Sequence, residues 1–188
     1  MNLEQLIKAC KKHNLKAQSQ LYQMYKDDLF TLCLKYCKNK EEAQDNLQDA
    51  FLTIFSTIKS YKNSGSFEGW MKRITIHKAI DKYKKDSHLN IVINNDILED
   101  NTLIDTDTID RIPLDQILKH IQELPPRYRM VFNLYELDNY SHKDISKLLN
   151  ISVNTSKSNL HRAKNILQTK IQQQSTNVSP KNLTSNGN

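Results

Sequence analysis

Glycine and proline are scarce in this chain of 188 residues, which holds three of the first and four of the second. Tight hairpins and crossover turns draw heavily on both, so an all-β or β-α-β architecture is excluded. Long apolar runs are also missing. With 38% apolar residues, 26% charged residues and a mean hydropathy of −0.67, no stretch approaches the roughly 20 residues that cross a bilayer. The opening Met1-Asn2-Leu3-Glu4-Gln5 lacks the basic-then-apolar order of a secretion signal. The chain is therefore expected in the cytoplasm, with no direct membrane insertion. Three cysteines, Cys10, Cys33 and Cys37, cannot all pair within one chain, which argues against a disulfide scaffold. Cys33 and Cys37 lie one helical turn apart. They suit either a metal pair or a buried core, and no third ligand stands near them in sequence. No dinucleotide fingerprint, P-loop, HExxH, paired carboxylates or nucleophile–base set is present. No enzyme activity, cofactor or metal is expected.

The charge is unevenly spread. Residues 1–85 hold 16 basic and 9 acidic side chains, residues 86–116 hold 1 and 8, and residues 117–188 hold 10 and 4. Two basic segments flanking an acidic one suit two modules that meet a polyanion, joined by a connector that avoids it; scatter on a basic surface is the plainer alternative. The acidic stretch is rich in Asn, Asp and Thr and lacks helical periodicity, so it reads as a linker. The polar, low-complexity segment after Ile171 reads as a disordered tail.

The remainder reads as helix. Leu21, Met24, Tyr25, Leu32, Cys33 and Tyr36 recur at helical spacing within 16–38. Over about 41–60, Ala43, Leu47, Ala50, Phe51, Ile54 and Ile58 share one face. The opposite face carries Asp45, Gln48, Asp49 and Leu52. A large Leu between acids suits an acidic docking patch with a hydrophobic anchor for an Arg-rich partner, or is one stray surface leucine. The turn at 59–66 ends on Ser66, which can cap a helix over about 67–85. That helix mixes aromatic and basic residues, as single-stranded nucleic acid favours, although Phe67 and Trp70 also suit a core. Its apolar residues fall into two groups: Phe67, Met71 and Ile74 on one side, Ile76, Ile80 and Tyr83 on another.

Near the C-terminus, Ser141 with Asp144 forms a capping box for a helix ending at Leu149. Asn150-Ile151-Ser152 makes a short turn, in which Asn tolerates the left-handed conformation. Ser152 caps a second helix from Val153 to about Ile171. This is a helix-turn-helix pattern. Val153, Ser156, Leu160, Ala163 and Leu167 face one way. Asn154, Lys157, Ser158, His161, Arg162 and Asn165 face the other, with no acid among them. That outer face is chemically fit for a DNA major groove; an ordinary solvated helix usually mixes in Glu and Asp. Ahead of it, Leu124-Pro125-Pro126 announces another helix, whose Tyr128, Val131, Phe132, Leu134, Tyr135 and Leu137 supply a packing surface. Taken alone, the C-terminal half also fits a stand-alone helix-turn-helix transcriptional regulator.

Four motifs occur in order: Ala43-Gln44-Asp45-Asn46-Leu47-Gln48-Asp49-Ala50-Phe51, then Gly65-Ser66-Phe67-Glu68-Gly69-Trp70-Met71-Lys72-Arg73-Ile74, then Glu123-Leu124-Pro125-Pro126-Arg127-Tyr128-Arg129, then Thr155-Ser156-Lys157-Ser158-Asn159-Leu160-His161-Arg162-Ala163-Lys164. Together they resemble bacterial RNA polymerase sigma factors of the extracytoplasmic-function (ECF) type, in the sigma-70 family, over about 3–171. The resemblance implies an all-α protein of two small helical domains joined by a flexible acidic linker. Residues 1–86 would be a sigma-2-like domain that docks on core polymerase and recognises and melts the −10 element. Residues 87–112 would be the linker. Residues 113–171 would be a sigma-4-like helix-turn-helix domain reading the −35 element, and 172–188 the tail. Asp45, Gln48, Asp49 and Leu52 would meet the polymerase clamp. Tyr61, Lys62, Asn63, Ser64, Arg73 and His77 would contact −10 DNA. Asn154, Thr155, Lys157, Ser158, His161 and Arg162 would contact −35 DNA. The implied partners are core RNA polymerase at its clamp and flap regions, promoter DNA and an anti-sigma factor. His77, Asn159, Asn150, Asn154 and Asn46 depart from the residues usual in the family.

Overall fold

The computed structural model describes residues 2–89 and 113–177, and every regular element in them is helical. The chain divides into two compact units, Met1–Ile93 and Asn94–Asn188.

The first unit holds α1 (Leu3–Lys11), α2 (Leu15–Tyr36), α3 (Lys40–Thr57), a 3-10 turn (Ile58–Ser60) and α4 (Phe67–Leu89). Asparagine supplies the starts that other proteins build with Ser or Asp. The side-chain oxygens of Asn2, Asn14 and Asn39 accept the amides of Gln5, Ala17 and Glu42, which satisfies one otherwise orphaned N–H at each end. Helices α2, α3 and α4 form the core of the unit, with α1 laid against α2. Leu21, Leu29, Cys33, Ala43, Ala50, Ile54 and Met71 are sealed inside it.

Met24, expected inside, is 51% exposed, and Leu29 is buried in its place. The buried arc of α2 runs from Ala17 to Cys33, and Met24 falls about 20° outside it at 100° per residue. Helix α4 explains the two apolar groups in its sequence. It packs against α2 and α3 at once, burying Phe67, Met71, Thr75 and Ala79 along one arc and Ile76 and Ile80 along another. The three helices are pinned by a polar contact. Asn46 on α3, 2% exposed, donates its side-chain amide to the Cys33 sulfur and to the Thr75 carbonyl, both at 3.3 Å. All three cysteines are free and buried. Burial pushes the Cys33 thiol up to about 11 and also raises Cys10.

The second unit holds α5 (Leu114–Gln122), α6 (Pro126–Phe132), a π-helical turn (Asn133–Leu137), α7 (His142–Leu149) and α8 (Val153–Asn177). Ile121, Leu124, Tyr128, Ala163 and Leu167 make a core that Ile117, Phe132 and Ile166 border. Arg129 is only 5% exposed. Its Nη1 donates to the carbonyls of Gln122 (2.6 Å) and Leu124 (3.2 Å), which closes the corner between α5 and α6. Pro126 occupies the first turn of α6, where its missing N–H goes unneeded. The π turn adds a residue to the helical cycle and rotates the chain beyond it. Tyr135 and Leu137, expected to pack, are thereby exposed, and the Tyr135 ring stacks on His142 at 4.3 Å instead.

The two HTH helices meet at Asn150, whose φ of 55° and ψ of 48° are left-handed. Asn reaches that region at lower cost than other side chains, so the turn forms without glycine. Helix α8 continues six residues past Ile171 to Asn177, since the Gln-rich segment has good helical propensity. Helix α4 runs to Leu89, three residues past Asp86. The rest of the expected linker, 90–112, and the tail from 178 lie outside the described residues.

Substitutions at two of these corners have expected costs. Arg129→Leu removes two charge-assisted hydrogen bonds and strands two carbonyls. Urea unfolding is expected to show the second unit destabilised by about 2–4 kcal/mol. Asn150→Ala is expected to cost about 1 kcal/mol in the same measurement, and Asn150→Gly less than about half of that, since glycine carries no penalty at positive φ.

Candidate protein and nucleic-acid interfaces

Helix α3 turns one face to the core and the other to solvent. Asp45, Gln48, Asp49 and Leu52 stand at i, i+3, i+4 and i+7, which makes one continuous exposed ridge. Leu52 is 63% exposed. Among the described residues no ion pair reaches Asp45 or Asp49. The nearby acid Glu42 is occupied differently, accepting the Lys38 amide and pairing with Lys82 on α4. Asn46, beside the ridge in sequence, points the opposite way into the core, so its departure from the family pattern serves the helix junction and leaves the ridge unaltered. Two carboxylates without an ion pair, beside an apolar neighbour, can meet a cationic protein surface through charge at the rim and burial at the centre.

The segment 61–66 is a short loop with a buried anchor. The Tyr61 ring is packed against Phe67 and Trp70, with centroids 5.0 and 5.5 Å away. Its hydroxyl donates to the Gly65 carbonyl at 2.7 Å, and Lys11 on α1 donates to the Tyr61 carbonyl at 2.8 Å. Asn63 (φ 59°) and Gly65 (φ 99°) supply two left-handed positions that bend the loop outward. Lys62, Asn63 and Ser64 are therefore exposed at its tip, while Tyr61 shapes the loop from beneath. Ser66 caps α4 by accepting the Gly69 amide at 2.9 Å. A Cβ at Gly69 would stand 2.9 Å from that same Ser66 oxygen, so a larger residue there would require the Ser66 hydroxyl to shift. Trp70, half-buried, stacks on Phe67 at 5.5 Å and belongs to the wall behind the loop.

Beyond the loop, α4 has one strip that neither α2 nor α3 covers. Arg73 and His77 are exposed on it, and Lys84 follows within about 40° of the same direction. Lys72 lies on a different flank, paired with Glu68 at 2.6 Å.

In the second unit, Ser141 and Asp144 form the reciprocal capping box of α7. Hydrogen bonding to Ser141 holds the Asp144 carboxyl below its usual range. Ser152 caps α8, accepting the Thr155 amide at 2.9 Å, and the two hydroxyls lie 2.8 Å apart. The expected contact set of α8 thus separates into two kinds. Asn154, Lys157 and His161 are exposed. Thr155 is tied to the cap, and Ser158 donates to the Thr155 carbonyl, so both hydroxyls serve the helix itself. Arg162 is half-buried and donates to the Tyr128 hydroxyl at 3.2 Å. Ser156 is fully buried and bonds His142 Nδ1 at 2.9 Å, which locks α7 to α8. Burial and the nearby Lys157 hold His142 below its ordinary value of 6.5, so it is neutral at that contact near pH 7. Val153, expected inside, is 39% exposed, because the first turn projects past α7. Asn159, one of the residues that depart from the family pattern, is buried at 8% exposure.

Three contributors escape a motif reading. Lys11 steadies the loop from 50 residues away, Tyr128 bonds Arg162 across 34 residues, and His142 joins Ser156 across 14. Periodicity carries no signal for such pairs. Tyr128 alone gives a hint, as a phenol at a core position that needs a partner for its hydroxyl.

Comparison with known proteins accounts for both units. Residues 21–88 match the family model for sigma-70 region 2, and residues 114–167 match that for sigma-70 region 4. The chain is 30% identical over 156 residues to the ECF RNA polymerase sigma factor SigM of Bacillus subtilis (strain 168), spanning 79% of this chain and 91% of that one. It is 29% identical over 179 residues to SigW of the same organism, spanning 89% and 96%. The fold is also shared with the sigma factor RpoE of Bartonella quintana, solved in complex with the anti-sigma factor NepR, at a TM-score of 0.50 and 17% identity over 85% of this chain and 98% of that one. A stand-alone helix-turn-helix regulator would leave the region 2 match unaccounted for. An α-helical chain with an acidic ridge, a capped loop over an aromatic wall and an acid-free recognition helix, matched in both regions and along most of its length, belongs to the ECF RNA polymerase sigma factors.

Proposed function

We propose that the two units divide the work of promoter recognition by charge. Residues 1–86 dock on core RNA polymerase through Asp45, Gln48, Asp49 and Leu52, facing the clamp. The same unit presents Lys62, Asn63 and Ser64, shaped by Tyr61, together with Arg73 and His77, to −10 DNA. Residues 113–171 sit near the flap and present Asn154, Lys157, His161 and Arg162 to the −35 major groove, with Thr155 and Ser158 stiffening the start of that helix. Residues 87–112 connect the two. The observation that carries this reading is the segregation of charge: an acidic ridge on α3 that no cation neutralises among the described residues, against a polar face on α8 that holds no acid. Phosphates repel the ridge and attract the other face, so each surface has one suitable partner.

Melting fits the loop. Extruding a base costs a few kcal/mol, which a pocket above the aromatic wall and cationic contacts to neighbouring phosphates offset. The role is one of binding and positioning, with the chemistry left to the polymerase, and it is exercised in the cytoplasm. Among the described residues no helix is long and apolar enough to cross a membrane. An anti-sigma factor, of the kind that RpoE binds, would act by covering the acidic ridge and the α8 face.

The first test is run-off transcription with added core polymerase, in which promoter-dependent product is expected and its absence rejects the reading. Asp45→Arg combined with Asp49→Arg is expected to abolish co-elution with core polymerase while leaving −35 duplex binding intact. Equal loss of both would refute the division between units. Arg162→Ala is expected to weaken −35 binding by about 1–3 kcal/mol where it contacts a base edge, measured by fluorescence anisotropy. A loss uniform over sequences would place it on a phosphate instead.

A further inference from the structure

The Tyr128 hydroxyl is an unusual meeting point. Its ring belongs to the core of the second unit, among Ile121, Leu124, Ala163 and Leu167. Its oxygen emerges at the core margin and accepts from two guanidinium groups, Arg127 Nη2 at 3.0 Å and Arg162 Nη1 at 3.2 Å. The Arg127 guanidinium also lies over the Tyr128 ring, 4.8 Å from its centroid. The buried phenol therefore links the start of α6 to the edge of the polar face of α8.

An arginine side chain has many rotamers, and its value in recognition depends on which edge of the guanidinium it offers. The Nη1 of Arg162 lies on the Cδ side of the group. Tying that nitrogen to Tyr128 leaves the opposite edge, where the Nε–H and Nη2–H bonds run parallel. Two parallel donors suit two adjacent acceptors, as guanine O6 and N7 or two phosphate oxygens present them. Because the ring is held by the core, its hydroxyl is a fixed point, and the ordering of Arg162 takes place on folding and not on binding. The two arginines also place like charges around one neutral oxygen, and an incoming anion relieves their repulsion.

We propose that Tyr128 is a positioning residue for DNA recognition, one that holds Arg162 with its Nε–Nη2 edge toward a paired acceptor on the −35 duplex. The proposal rests on the reading of α8 as the DNA-facing helix and adds a residue buried outside that face.

The test is a double-mutant cycle on reconstituted holoenzyme, using the promoter fragment that the wild-type holoenzyme selects from random DNA. Tyr128→Phe keeps the ring in the core and removes only the hydroxyl. Thermal unfolding of the free variant sets the temperature at which its second unit is fully folded, and affinities are compared only below it. Promoter affinity is expected to fall about 3–10-fold for Tyr128→Phe and about 10–100-fold for Arg162→Ala, with Tyr128→Phe adding nothing in the Arg162→Ala background. A loss confined to one base pair would identify guanine as the acceptor, and a loss uniform over sequences a phosphate; either keeps the proposal. Unchanged affinity of Tyr128→Phe overturns it, as does the same fold-loss in both backgrounds. If Arg162→Ala itself has no effect, the DNA-facing reading of α8 fails, and the proposal fails with it.

Discussion

Helix α4 is gripped on two sides, and that constraint orders the rest of the first unit. A helix embraced by two neighbours has little circumference left for anything else. On α4 the remainder includes the strip bearing Arg73 and His77. The same packing uses the inner face of α3, which leaves its acidic ridge turned outward. The two surfaces are thus consequences of one packing arrangement. The Asn46 amide, bonded to Cys33 and the Thr75 carbonyl, specifies the register of that arrangement where purely apolar contacts would tolerate sliding.

The second unit solves a different problem with few residues. Its helices are short, and α5, α6 and α7 have nine, seven and eight residues. Helices of that size are marginal alone and depend on their corners. Each corner here is closed by a specific polar device: the Arg129 guanidinium between α5 and α6, the capping box at α7, the left-handed Asn150 before α8. The long helix α8 then presents its side chains from a frame held at each corner by hydrogen bonds. Its polar residues divide accordingly, with the Thr155 and Ser158 hydroxyls bonded within the helix start and amide, imidazole and cationic groups turned out.

Much of this architecture is legible in the amino-acid order. The α3 pattern separates Ala43, Leu47, Ala50 and Ile54 from Asp45, Gln48, Asp49 and Leu52, because a period of 3.6 residues records burial directly. The Ser141–Asp144 box and Asn150 announce the helix-turn-helix, because caps and left-handed turns restrict residue type. A regular wheel misplaces Met24, Val153, Tyr135 and Leu137, each at the edge of a stripe, the end of a helix or within the π turn, where the wheel loses its phase. The mixed face of α4 is unreadable as one stripe because two partners share it. Among the candidate contact residues, Tyr61, Thr155 and Ser158 also bond their own backbone or cap, a local use that periodicity does not record.

The buried thiols carry a consequence for reactivity. Burial pushes the Cys33 thiol up to about 11, so it is protonated at neutral pH, and only the thiolate reacts readily with peroxides or disulfides. Cys33 also sits inside the packed centre, engaged by Asn46, while Cys10 and Cys37 are enclosed as well. The packed centre of the first unit therefore keeps Cys33 away from reagents that modify exposed thiols.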